Sequence, residues 1–240
     1  MSSPDLSLVL PAYNEERSIQ SSLAILDRVV RNMELRYEIV VVDDGSTDNT
    51  REGASGYANR NGHVTVIGYD RNIGKGYAVK NGFAQTHGDL VVFVDSDLEI
   101  ELGMISAYVK ALRCGDIVIA SKSHRESVVE MPLVRRALSY GFNVLVRLLT
   151  GIKLRDTQTG LKAMKRSAFK NIFPRLCIKR YAFDVELLTL ASLYNLKVVE
   201  MPVKIRTNAL FSVGEVWSMF MDLLRIAFRL KVLRLYQRSL

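Results

Sequence analysis

Leu90-Val91-Val92-Phe93-Val94-Asp95-Ser96-Asp97-Leu98-Glu99 is the stretch on which both the fold and the chemistry turn. Five apolar residues in a row read as a short strand buried in a sheet, and the run stops on two carboxylates spaced two apart. In a parallel sheet, ligands gather beyond the carboxyl ends of the strands. Two carboxylates at such an end repel each other unless a cation lies between them. Hard divalent ions such as Mg²⁺ and Mn²⁺ take oxygen ligands and keep positions open for phosphate oxygens. Asp95 and Asp97 are therefore candidate metal ligands, with Glu99 as a third.

Working outward, three earlier apolar runs repeat the pattern: Leu6–Leu10, Glu38–Val42 and Val64–Gly68. Between them, Glu15–Arg31, Thr47–Ala58 and Gly76–Thr86 carry helical spacing; in the first, Ile19, Leu23, Leu26 and Val30 share one face. This rhythm implies right-handed crossovers and a mainly parallel central sheet flanked by helices, an α/β fold in three layers.

Beyond residue 120 the character changes. Residues 1–120 hold 11 Lys and Arg against 17 Asp and Glu, while residues 121–240 hold 22 against 8. A basic half suits nucleic acid, an anionic membrane surface or a phosphorylated lipid, and composition does not choose among them. Leu133–Ile152 is long and apolar but interrupted by Arg135, Arg136 and Arg147, and Arg136, Tyr140, Asn143 and Arg147 form a polar stripe at helical intervals. Phe183–Leu193 reads as a short helix and Lys197–Ile205 as a strand. In Glu215–Tyr236, Trp217, Phe220, Met221, Leu224 and Phe228 oppose Ser218, Asp222, Arg225 and Arg229, which makes an amphipathic C-terminal helix. No uncharged run reaches the roughly 18 residues that a spanning helix needs. The first strand begins almost at once, leaving no n-region or h-region of a signal peptide. Cys114 and Cys177 lack metal-ligand spacing and point to a reducing compartment.

Polar clusters follow three of the strands: Pro11-Ala12-Tyr13-Asn14-Glu15, Asp43-Asp44-Gly45-Ser46 and Asp95-Ser96-Asp97. Asn14, Asp44, Ser46 and Asp48 also suit helix caps, but three clusters on one sheet edge point to a ligand. Gly74-Lys75-Gly76 adds a candidate diphosphate contact: a helix N-terminus, close backbone approach and a cation. It is not a Walker motif, lacking the upstream glycine and the Ser or Thr after the lysine.

In their order along the chain, these motifs resemble the family-2 glycosyltransferases, which have the GT-A nucleotide-diphospho-sugar transferase fold. Within that family they look like the polyprenyl-phosphate (dolichyl-phosphate) glucosyl- and mannosyltransferases. The matching stretches are residues 8–16, 41–48, 72–76, 94–99 and Asp156-Thr157-Gln158-Thr159-Gly160-Leu161-Lys162. The resemblance implies a catalytic domain over 1–210, with a donor half to residue 120, an acceptor half after it, and the basic helix 211–240 appended. It places Pro11, Ala12, Tyr13, Glu15, Asp43, Asp44, Lys75, Asp95 and Ser96 around a nucleotide-sugar, with Asp44, or Asp44 and Asp43 together, reading the base. Asp95, Asp97 and Glu99 would hold Mg²⁺ or Mn²⁺; Glu99 departs from the glutamine common in close relatives. Asp97, Asp156, Gln158 and Asp184 would form the catalytic group.

An acceptor hydroxyl needs a general base, whereas a lipid phosphate arrives ionised and needs cations to position it. Lys122, Arg125, Arg135, Arg136 and Arg206 are the candidates for that cradle. The expected reaction is inverting transfer of a hexose to a polyprenyl phosphate by an enzyme peripheral on the cytoplasmic face of a membrane. Asp-Thr-Gln-Thr-Gly favours UDP-glucose; Asp-Ser-Asp-Leu-Glu is nearer the GDP-mannose branch. A glycan or glycolipid hydroxyl is the alternative acceptor, with Asp156 or Asp184 as base. Of the readings from other classes, nucleic-acid binding leaves the acidic strand ends unexplained, with no helix-turn-helix, zinc or RNA-recognition pattern to support it. A membrane-surface scaffold with an inactive fold would be excluded by metal-dependent nucleotide binding followed by sugar turnover.

Overall fold

The computed structural model describes residues 3–97 and 99–236. Leu98 and the last four residues of the expected C-terminal segment lie outside the described residues.

Seven strands form the main sheet: β1 (Leu6–Ala12), β2 (Tyr37–Asp43), β3 (Val64–Gly68), β4 (Leu90–Val94), β5 (Ile117–Ala120), β7 (Leu161–Lys165) and β8 (Val198–Met201), in the order β3-β2-β1-β4-β7-β5-β8. The first four strands pair in parallel, as do β5 and β8, whereas β7 runs antiparallel to both β4 and β5. A second small sheet pairs β6 (Val128–Glu130) with β9 (Lys204–Arg206). The expected strand over 197–205 is therefore two strands in two sheets. Pro202 separates them, because a proline has no N–H to give to a ladder.

Side-chain alternation along each strand builds two cores, one per face. Val9, Val40, Val42, Val91, Phe93, Ile119 and Met164 pack against α3 (Lys75–Gln85), α7 (Phe183–Leu193) and α8 (Val213–Lys231). Leu8, Leu10, Ile39, Val41, Val92, Val94 and Ala163 face α1 (Ile19–Arg31), α2 (Thr50–Ala58) and α4 (Ile105–Ala111). Each such side chain, when fully buried, is worth roughly 1.5–3 kcal/mol, so the register of the central strands is strongly fixed. The three-layer α/β reading and its mainly parallel sheet hold.

The two halves share this sheet, because β7 comes from the second half and fills the gap between β4 and β5. Nor is α8 merely appended: Leu223, Ile226 and Leu230 lie in the same core as Val185 and Leu188 of α7. Its start is fixed by a capping box, Ser212 accepting from the Glu215 amide while Glu215 accepts from the Ser212 amide. The helix α5 (Leu133–Thr150), which ends on the left-handed Gly151, packs beside it.

Candidate active site

The carboxyl ends of β1 and β4, the start of α3, the turn before β7 and the loop before α7 surround one cavity of about 340 Å³. Pro11, Ala12, Tyr13, Glu15, Asp44, Lys75, Asp95 and Ser96 all line it, together with Asp97, Gln158 and Asp184. Residues from five separate segments converge there because parallel strands all end on one edge.

The charges on this wall are coupled. Lys75 Nζ lies 2.5 Å from Asp95. Burial works against the lysine's charge, but Asp95, and then Asp184, outweigh it and hold its pKa above the ordinary range. Asp184 is itself buried, which raises its pKa, and it pairs with Lys162 Nζ at 2.7 Å. Among the described residues Asp97 forms no ion pair. Burial first, and the neighbouring Asp95 second, push its carboxyl up to about 6. One lysine beside two carboxylates leaves negative charge in excess, which a divalent ion would relieve; Asp95 and Asp97 fit one on that ground.

Glu99 does not fit as the third ligand. Its two oxygens accept from Arg135 Nη1 and Nη2, at 3.2 and 3.1 Å, and Thr207 donates to it as well. Among the described residues no group of three His, Cys, Asp or Glu is placed to hold a metal. A bidentate arginine satisfies the carboxylate that the spacing offered to an ion.

Gly160 touches the same wall. A Cβ there would lie 1.7 Å from Asp95 Oδ2, so only glycine lets the turn before β7 close on the carboxylate. Gly74 shows why the loop before α3 has its shape: its φ is +124°, and its amide donates to Asp44 at 2.9 Å. Asp44 also accepts from the Ile73 amide at 3.0 Å and the Tyr69 hydroxyl at 2.7 Å. Its oxygens thus hold the loop together, and the Gly74 amide is spent on that task instead of on a diphosphate. Asp43 is buried, accepts from the Ser46 amide at 3.3 Å and does not line the cavity.

Asp156 is fully buried beneath the cavity, not in it. It accepts from the Lys122 amide at 2.9 Å and from Thr159 Oγ1 at 2.7 Å, and pairs with Lys122 Nζ at 2.8 Å. Burial alone would raise its pKa; Lys122 outweighs that and brings it to about 2. It is a positioning residue for the segment that carries Gln158.

The expected five-cation cradle is not assembled. Lys122 and Arg135 reach the cavity, Arg136 lines an adjoining chamber, and Arg125 and Arg206 do neither. Arg206 pairs with Glu130 and Arg125 lies 3.6 Å from Glu126, both in exposed positions. In their place the cavity receives Arg180 and Tyr181, which the sequence reading missed. The signal was the run Lys179-Arg180-Tyr181 just before α7. Among the described residues Arg180 forms no ion pair.

A profile described as Glycosyl transferase family 2 matches residues 7–173. A dolichyl-phosphate beta-glucosyltransferase of Dictyostelium discoideum is 32% identical over 93% of this chain and 74% of its own length. One of Homo sapiens is 35% identical over 82% of this chain and 66% of its own. Among solved structures, glucosyl-3-phosphoglycerate synthase from Mycobacterium tuberculosis, in complex with Mn²⁺, UDP-glucose and phosphoglyceric acid, aligns with a TM-score of 0.68. That alignment covers 94% of this chain and 79% of the synthase at 21% identity, a likeness of fold. The chain belongs to glycosyl transferase family 2 and is a glycosyltransferase with the GT-A fold.

Proposed function

We propose that the protein transfers glucose from UDP-glucose to a polyprenyl phosphate such as dolichyl phosphate, with inversion at the anomeric carbon. The observation that carries this reading is one cavity lined both by carboxylates, Asp95 and Asp97, and by cations, Lys122, Arg135 and Arg180. The names of the relatives support the acceptor and the sugar, and the UDP-glucose complex of the fold neighbour supports the nucleotide. Asp95 and Asp97 would hold Mg²⁺ or Mn²⁺, which when bound supplies positive charge to the departing diphosphate.

The remaining work falls to the chain itself. Tyr13, exposed at the cavity's edge, offers an aromatic face to the base. Lys75 orients Asp95 and brings a cation to the diphosphate side. Asp184 is paired with Lys162 and Asp156 with Lys122, and Asp97 is assigned to the metal, so a hydroxyl acceptor would have no unpaired carboxylate as its base. A phosphate acceptor needs no such base; it needs cations, and Arg135 and Arg180 supply them. This favours the lipid phosphate over a glycan hydroxyl.

Among the described residues no helix is long and apolar enough to cross a membrane. We read the protein as held at a membrane surface by two neighbouring helices. α5 exposes Val134, Leu138, Leu145 and Leu148, and α8 exposes Trp217, Leu224 and Phe228. The exposed free thiols of Cys114 and Cys177 favour the reducing, cytoplasmic side.

The test is transfer with Mg²⁺ or Mn²⁺, a short polyprenyl phosphate and a panel of UDP- and GDP-sugars. A charged glucolipid from UDP-glucose is expected. Glucose arriving on a glycan hydroxyl, with no lipid product from any donor, would overturn the reading.

A further inference from the structure

Glu186, in the first turn of α7, is fully buried, and the transfer reaction gives it no part. A carboxylate so placed is tolerable only where hydrogen bonds or cations meet its oxygens. Oε2 accepts from the Cys177 and Ile178 amides, at 2.8 and 2.7 Å. Oε1 accepts from the hydroxyl of Tyr236, a buried residue 50 positions further on that follows α8. Arg229 Nη1, on α8, lies 3.8 Å from the same oxygen. One carboxylate thus joins the end of the chain to the segment before α7.

That segment, residues 176–182, carries Arg180 and Tyr181 to the transfer cavity. Its other side lies against α3. The Tyr77 amide donates to the Lys179 carbonyl at 3.0 Å, and Lys80 Nζ donates to the Pro174 and Leu176 carbonyls at 3.1 and 2.9 Å. A Cβ on Gly76 would stand 2.7 Å from the Ile178 carbonyl oxygen, so only glycine lets α3 come this close. The α3 side therefore fixes carbonyls of the segment, while Glu186 fixes its amides. Burial disfavours the charge on Glu186 and raises its pKa; the Tyr236 hydroxyl is the strongest of the groups that work against this. Without that hydroxyl the carboxylate is a poorer acceptor for the two amides.

We propose that Tyr236 and Glu186 are positioning residues for transfer: the end of the chain, through one buried carboxylate, sets the segment that presents Arg180 and Tyr181 to the cavity. The link itself does not depend on the acceptor. Its kinetic consequence rests on the reading above, in which Arg180 meets the acceptor phosphate.

Tyr236→Phe removes one hydroxyl and keeps the ring in the core. Tyr37→Phe is the control, because it takes a hydroxyl from another buried carboxylate, Asp27, at the amino end of β2. Amide hydrogen exchange of the full chain, without substrate, should be roughly tenfold faster across residues 176–182 in Tyr236→Phe and unchanged there in the control. In transfer assays Tyr236→Phe should raise the acceptor KM roughly fivefold and leave the UDP-glucose KM where it is. Placed on Arg180→Gln, Tyr236→Phe should raise the acceptor KM no further, since both act through one side chain. Unchanged exchange over 176–182 overturns the proposal, as does exchange that quickens equally throughout α7 and α8, which marks general loosening. Full additivity with Arg180→Gln overturns it too. A wild type that makes no lipid product refutes the acceptor reading instead, and the exchange comparison, which needs no substrate, still decides the link.

Discussion

The acidic wall and the basic wall of the cavity are built on different principles. Asp95, Asp97 and Tyr13 follow the ends of parallel strands and Pro11 pairs with Val42 near the end of β1's ladder, so the backbone pairing itself fixes their place. The cations sit on α5 and on loops, and they are positioned by partners distant in sequence. Arg135 is held by Glu99, 36 residues away, and Lys122 by Asp156, 34 away. Strand ends make rigid sites from short motifs; helices and loops make them from long-range pairs. The first kind fails by losing a charge, the second by losing a partner.

That contrast can be broken at several points. The largest effect is expected at the strand end: Asp97→Asn should lower transfer by roughly 10³-fold, and chelation of divalent ions should abolish it. Glucolipid formation per minute is the readout, and a variant retaining a tenth of the rate would remove Asp97 from the metal site. Next, Gly160→Ala must displace Asp95, and a misplacement near 1 Å costs roughly 10²-fold. The loss should appear in metal-dependent nucleotide binding as well as in rate. On the basic wall, Arg135→Ala should raise the acceptor KM roughly tenfold while the UDP-glucose KM stays put, a split measured by varying each substrate in turn.

The pair beneath the cavity predicts a pH effect on stability. The pKa of Asp156 falls from 3.8 in the unfolded chain to about 2 when folded. Its contribution is therefore complete above pH 4 and disappears as pH falls toward 2, with a size of about 2 kcal/mol. Urea midpoints collected across that range should show the drop in the wild type, and a smaller one in Asp156→Asn. The smallest effect is expected at Arg206→Ala, an exposed pair with Glu130: below about 0.5 kcal/mol, with transfer unchanged. A large loss of activity there would restore the wider cradle that the sequence suggested.

Much of the donor side was legible because local pattern and final place agree. A β-branched run ending in Asp-Ser-Asp is a strand end in any α/β context, and Pro11 to Glu15 follows the same logic. What escaped was set by tertiary partners. The sequence Leu161-Lys162-Ala163-Met164-Lys165 does not announce a strand, because its buried lysine is tolerable only with Asp184, 22 residues further on, to neutralise it. Glu99 read as a ligand because nothing local reveals Arg135. Arg180 was hidden for a similar reason: the loop bearing it is tied down by Glu186, which accepts from the Cys177 and Ile178 amides at 2.8 and 2.7 Å.

The central seat of β7 has a consequence for biosynthesis. Until residue 165 has left the ribosome, β4 and β5 have no strand between them, and each presents an open edge of apolar residues. The nascent donor half therefore cannot close its sheet, although every donor motif before residue 100 is already made. Closure waits for a segment separated from β4 by residues 95–160, so joining β4 to β5 is a late, long-range step. A chain cut at residue 120 would keep the nucleotide-side motifs and yet expose a sticky edge, which makes aggregation, not a small soluble donor-binding fragment, its expected fate.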